Sequence, residues 1–148
     1  MGASDAGRDR WWRLLGWSFL LGALLDLPFG AAILVFQRLL APALGVTLPQ
    51  AGARVALDLD GLFLLALGAV YLLIFREPER FAPVAAVGTL LRFGGFALFY
   101  TDVITGRADR FYLTIGTLEA FLGLLHMFLL RMAAGSVVTA LLRRERPR

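Results

Sequence analysis

The sequence predicts an all-α protein, an integral membrane four-helix bundle with both termini on the cytoplasmic side. Three observations predict it. Of the 148 residues, 59% belong to the hydrophobic set and 18% are charged, where soluble domains hold about 45–50% and about 25%. Four apolar runs are each close to the length needed to cross a hydrocarbon core of about 30 Å at a rise of 1.5 Å per residue. The fifteen basic residues, all of them arginine, flank these runs unequally.

The first span covers about residues 14–36, LLGWSFLLGALLDLPFGAAILVF. Before and within it, Trp11, Trp12 and Trp17 read as interfacial anchors, with the indole N–H in headgroup water and the ring in lipid. Gly30, Ala31 and Ala32 resemble a signal-peptidase site. The apolar run continues past them to Phe36, beyond a 7–15-residue signal core, so an uncleaved span is expected. Asp26 and Pro28 fall mid-span. Pro28 deprives the Leu24 carbonyl of its helical donor and predicts a kink beside Asp26.

A loop over 37–56 follows, punctuated by Pro42, Gly45, Pro49 and Gly52. Its Leu39–Leu48 portion is apolar enough to lie in the membrane interface. The second span, about 57–75, opens with Asp58 and Asp60. The link Arg76–Arg80, REPER, is a tight charged hairpin in which Pro78 stops the helix. So short a connection makes the second and third spans antiparallel neighbours. The third span, about 82–104, carries Arg92 near its middle and ends with Asp102. The fourth, about 111–130, contains Glu119 and His126. Residues 131–148 form a basic tail ending RRERPR. Helix is expected to about Gly135, after which the tail lies along the membrane surface against anionic lipid headgroups. The whole chain, 1–148, reads as a single transmembrane domain.

Ten arginines lie on the side of the N-tail, the REPER link and the C-tail, and four lie on the other side: Arg38, Arg54, Arg107 and Arg110. The positive-inside rule makes the richer side cytoplasmic. The expected location is the inner membrane, as a multi-pass protein. Each span also holds small residues seven apart: Ala23 and Gly30, Gly61 and Gly68, Gly88 and Gly95, Gly116 and Gly123. Seven residues is close to two turns, so each pair lies on one face, where small side chains let membrane helices approach.

The polar residues fall in layers. Counted from the cytoplasmic ends, Asp26 lies ~18 Å deep, Arg92 ~15 Å and Glu119 ~16 Å. An arginine at a span centre costs at least ~2.5–3.5 kcal/mol to insert, and its guanidinium cannot escape by losing a proton. It therefore needs acceptors at its own depth, and Asp26 and Glu119 are the carboxylates available. Two readings follow. The three side chains form a proton-responsive binding site, or they form a clasp that fixes helix packing. Tyr71 and His126 both lie ~6 Å from the cytoplasmic end. They read as a hydrogen-bonded pair, as the lining of a path from Glu119, or as packing residues. Asp58, Asp60 and Asp102 form an outer acidic cluster that Arg54, Arg107 and Arg110 can neutralise.

Composition excludes several classes of chemistry. The chain has no cysteine and one histidine, so thiol catalysis, disulfide exchange and a multi-histidine metal site within one chain are ruled out. No metal is expected. The net charge of +4 is not a nucleic-acid signal, because the arginines flank apolar runs and form no soluble basic face.

The four short spans, the glycine-rich second span LDLDGLFLLALGAVYLL and the clipped REPER link resemble the DoxX-like group of small four-helix bacterial membrane proteins. The resemblance implies a bundle related to that of the vitamin K epoxide reductase type, and an association with quinone-linked oxidoreductases. It transfers no catalytic residue, since the cysteine pair of that redox chemistry is missing here. Three functions are therefore expected in order. The first is an accessory or small-amphiphile-binding membrane protein, with quinone or lipid as ligand and no resident cofactor. The alternative is a proton-coupled small-molecule transporter acting as a homodimer, because 148 residues is little for a self-contained path. A membrane enzyme acting on a lipid comes third. An accessory role would also call for a membrane-complex partner.

Overall fold

A computed structural model describes the backbone of residues 2–42, 44 and 51–142. The side chains at 2–6, 51 and 53 lie outside that description, as do residues 43 and 45–50 of the long loop and the terminal RRERPR stretch. All regular structure among the described residues is helical: α1 (Gly2–Val35), α2 (Gln37–Leu40), α3 (Ala51–Arg76), α4 (Ala82–Ile104), α5 (Phe111–Ala134) and α6 (Val137–Leu141). Four of these contain segments long and apolar enough to cross a membrane: Gly7–Val35, Arg54–Arg76, Ala82–Ile104 and Phe111–Ala134.

The helices outrun the apolar stretches that announce them. α1 begins at Gly2, well before residue 14, and α3 begins at Ala51, before residue 57. Helical hydrogen bonding does not stop where side chains turn polar, and no proline intervenes at either start. α1 also continues through Pro28 as one helix. The ends that sequence does fix are chemical. α4 opens with proline in its first turn, where a missing N–H costs nothing. α5 stops at Gly135, whose φ of +88° suits glycine and whose N–H donates to the Arg131 carbonyl at 2.9 Å.

The chain divides into two compact units, Met1–Leu20 with Tyr71–Arg148, and Leu21–Val70. In the first, α4 and α5 form an antiparallel pair. A Cβ added at Gly116 would lie 3.0 Å from the Tyr100 ring, while one at Gly123 would lie 3.3 Å from Phe93, so the contacts run in opposite directions along the two helices. The start of α1 and the end of α3 are antiparallel neighbours too, with Trp17 against Phe75 at 5.1 Å and Phe19 against Tyr71 at 4.9 Å. α6 packs back on α4 and α5.

In the second unit the later part of α1 packs antiparallel on the first part of α3. A Cβ at Gly30 would come within 2.8 Å of the Gly61 carbonyl, and one at Gly68 within 2.6 Å of Leu27. Ile33, Ala41 and Leu57 form its buried cluster, with Leu40, Leu44 and Leu64 against it. Of the glycines seven apart, Gly30, Gly61, Gly68, Gly88, Gly116 and Gly123 therefore stand at close approaches within their units, whereas Gly95 meets its neighbour at an ordinary contact distance.

The distribution of polarity inverts that of a soluble protein. At most 39% of any spanning segment's most apolar stretch is buried. Leu24, Leu59, Leu98 and Phe121 are each about 60% exposed, whereas Asp26, Thr89, Arg92 and His126 are buried. An exterior this apolar is suited to lipid. The four spanning helices make this a multi-pass membrane protein. Of the three indoles, Trp17 is exposed but Trp12 is buried. Trp12 is thus a core residue of the first unit and not an interfacial anchor, because position 12 shares the inward face of α1 with Leu15 and Phe19.

Candidate functional site

The site grows from Arg92. Four turns of apolar helix surround it on α4, so its guanidinium has no route to water along its own helix. It is 3% exposed, and its Nη1 donates to Glu119 Oε1 on α5 at 2.5 Å. The antiparallel α4–α5 pairing produces this meeting. Gly95 lies one turn beyond Arg92, and a Cβ there would sit 3.5 Å from the Glu119 side chain. The two ends of the pair differ in access. Arg92 is sealed, whereas the Glu119 side chain keeps 17% of its exposure. A charge-assisted hydrogen bond of this length is strong in a low dielectric.

Tyr71 from α3 turns its ring face to the same cation, 5.0 Å from the Arg92 guanidinium carbon. Phe19 from α1 packs edge-on to Tyr71 and stacks on the His126 ring of α5, with centroids 3.9 Å apart and planes within 10°. Gly88 of α4 closes the group; a Cβ there would lie 3.1 Å from Tyr71 and 3.2 Å from Phe19. All of these residues lie in the first unit.

His126 is fully buried, and neither ring nitrogen has a hydrogen-bond partner among the described residues. The Ser18 backbone lies alongside the ring without reaching hydrogen-bond geometry. The expected Tyr71–His126 hydrogen bond does not form. The two rings are 6.4 Å apart and nearly perpendicular, because Phe19 occupies the flat face of the imidazole. Unsatisfied buried polar atoms are costly, at about 1–3 kcal/mol per group. His126→Phe keeps the ring stack and removes both nitrogens, so stability in SDS unfolding should rise by about 1–3 kcal/mol. Unchanged or reduced stability would show that the nitrogens are satisfied in the folded protein.

Asp26 is buried on α1 in the second unit. Asp58 accepts a hydrogen bond from Gln37 Nε2, so its near partner is an amide at the start of α2 and not Arg54. Asp60 is exposed. Asp102 faces Arg107 at 3.8 Å, the interfacial pairing expected of it. Among the described residues no three carboxylate or imidazole groups converge on a metal position.

Sequence reasoning missed Phe19 and the hydroxyl pair Tyr100–Thr117, at 2.9 Å, which ties α4 to α5 beyond Glu119. An apolar aromatic in an apolar span carries no periodic signal, since the lipid face and the protein face are both hydrophobic. Family models, curated proteins and solved structures were compared with the chain, and none matches it.

Proposed function

We propose that this chain is an accessory membrane protein of the bacterial inner membrane that binds a small amphiphile, a quinone or a lipid, at the Arg92–Glu119 pair. The observation that carries the reading is the unequal access of that pair. A purely structural clasp within a span keeps both charges paired and turned inward, away from hydrocarbon. Here the arginine is sealed and fixed by Tyr71, while the carboxylate stays reachable. A carbonyl, hydroxyl or headgroup amine presented from lipid can meet Glu119, and the amphiphile's tail finds an apolar exterior beside it. The resemblance to the DoxX-like group points to the same class of protein. The reading includes a four-helix bundle with both termini in the cytoplasm, as the arginine asymmetry requires.

The test uses the three tryptophans near the start of α1 as reporters. Short-chain quinone and lysophospholipid analogues are titrated into the purified full-length protein in detergent. Saturable quenching or shift of tryptophan emission is expected with one of them, weakened about tenfold in Glu119→Gln, as for loss of one charged hydrogen bond. No saturable response to either analogue, or a response that Glu119→Gln leaves unchanged, overturns the proposal.

A further inference from the structure

The first unit gathers exposed arginines at one end. Trp11 packs on Phe128 at 5.9 Å, which sets Arg8, Arg10 and Arg13 of α1 beside Arg131 in the last turn of α5. A Cβ at Gly16 would lie 3.6 Å from Pro78, which brings the REPER turn, with Arg76 and Arg80, to the same end. All six arginines are exposed. Among the described side chains the acids of this end are Asp9, Glu77 and Glu79, and Glu77 is engaged by Arg80 at 3.1 Å. Four further arginines follow α6 directly in sequence, with Glu145 among them.

α6 lies across this end. The left-handed Gly135 turns the chain, and Ser136 caps the new helix by accepting from the Thr139 N–H at 2.9 Å. One side of α6 is anchored, with Ala140 fully buried. The other carries Val138, Leu141 and Leu142, with Val138 62% and Leu142 74% exposed. These three positions share one face at i, i+3 and i+4. Bare aliphatic side chains at the same end as these arginines suit neither bulk water nor the bilayer core. They suit the boundary between acyl chains and anionic headgroups.

We propose that this end of the unit is a docking surface for anionic phospholipid. Val138, Leu141 and Leu142 seat among the first methylenes of the acyl chains, and the arginines of α1, the REPER turn and α5 hold the lipid phosphates. Charge complementarity commits the surface to an anionic headgroup, and the exposed aliphatic face commits it to lipid over free phosphate. The inference rests on the membrane reading of the four spans, but it is independent of the amphiphile site at Arg92–Glu119.

The test is lipid retention by the full-length protein, extracted from mixed vesicles of phosphatidylglycerol and phosphatidylcholine and examined by native mass spectrometry. Preferential retention of phosphatidylglycerol is expected. Arg76→Gln/Arg131→Gln should weaken it about 25-fold, from about fivefold per arginine near an anionic surface. Val138→Ser/Leu142→Ser should weaken retention of both lipids while leaving the preference for phosphatidylglycerol. All four positions are exposed, so melting temperatures in detergent should match the parent, which separates lost docking from lost fold. Equal retention of the two lipids by the parent, or parental retention by the arginine variant, overturns the proposal. Inorganic phosphate competing as well as phosphatidylglycerol would also overturn it, since the site would then recognise an anion and not a lipid. Glu119→Gln should retain phosphatidylglycerol as the parent does, so failure of the amphiphile site leaves this result standing.

Discussion

Glu119→Leu is expected to lower stability by about 3 kcal/mol, read as the shift in SDS-induced unfolding of the purified protein. The substitution removes the acceptor 2.5 Å from Arg92 Nη1 and leaves a guanidinium in a site where it is 3% exposed. Breaking one side of a buried pair costs about 3–5 kcal/mol because the surviving charge has lost its compensation. The lower end applies here, since the 17% exposure of Glu119 lets some water reach the vacated space. Glu119→Gln should cost less, because an amide oxygen can still accept from Nη1. The sign of the double variant decides the mechanism. Arg92→Leu/Glu119→Leu replaces both charges by apolar side chains of similar bulk and should recover most of the loss, as neutral replacement of buried pairs commonly does. If the double variant is as unstable as the sum of its parts, Arg92 holds the fold through its Tyr71 contact and not through its pairing with Glu119.

That pairing was legible from the sequence for a definite reason. Arginine cannot neutralise itself, so its place in the third span demanded an acceptor, and helix rise put Glu119 at its depth. The four spanning helices were legible on similar grounds, because eighteen or more apolar residues in a row admit few other structures. Their ends were not. Apolarity marks where lipid begins, whereas helix ends are set by hydrogen bonding, by Pro83 in the first turn of α4 and by Gly135 after α5.

Depth alone also could not decide what touches what. Tyr71 and His126 lie at one level, as the rise along their helices indicates, but rotation about the helix axes puts Phe19 against the imidazole. The tryptophans show the same limit. Trp12 and Trp17 have identical chemistry, and only the burial of one face of α1 separates a core indole from an exposed one. In a soluble helix the polar stripe would have reported that face. In a lipid-facing helix both sides are apolar, and the signal vanishes.

Phe19 is the residue where that loss of signal matters most, and Phe19→Ala should destabilise the first unit by about 3–5 kcal/mol. Its side chain is completely buried and joins three helices: it stacks on His126 of α5 at 3.9 Å, meets Tyr71 of α3 edge-on at 4.9 Å, and lies against Gly88 of α4. Truncation opens a ring-sized void that no single neighbour can fill. Tyr71 faces Arg92, and Gly88 has no side chain to offer. Lipid tails do not reach a site that is sealed from the exterior, so the lost dispersion contacts are not replaced. Phe19→Leu keeps much of the volume but not the flat face, and should cost about half as much. Gly88→Ala offers an internal check, because its new methyl would sit 3.1 Å from Tyr71 and 3.2 Å from the Phe19 ring in the parent, whereas the void of Phe19→Ala gives the methyl and the Tyr71 ring room to relax. Gly88→Ala should therefore destabilise the parent but partly rescue Phe19→Ala, with unfolding in SDS as the common measure. Additive losses in the double variant would mean that the two positions do not share the cavity, and that Phe19 is not the residue on which the three helices close.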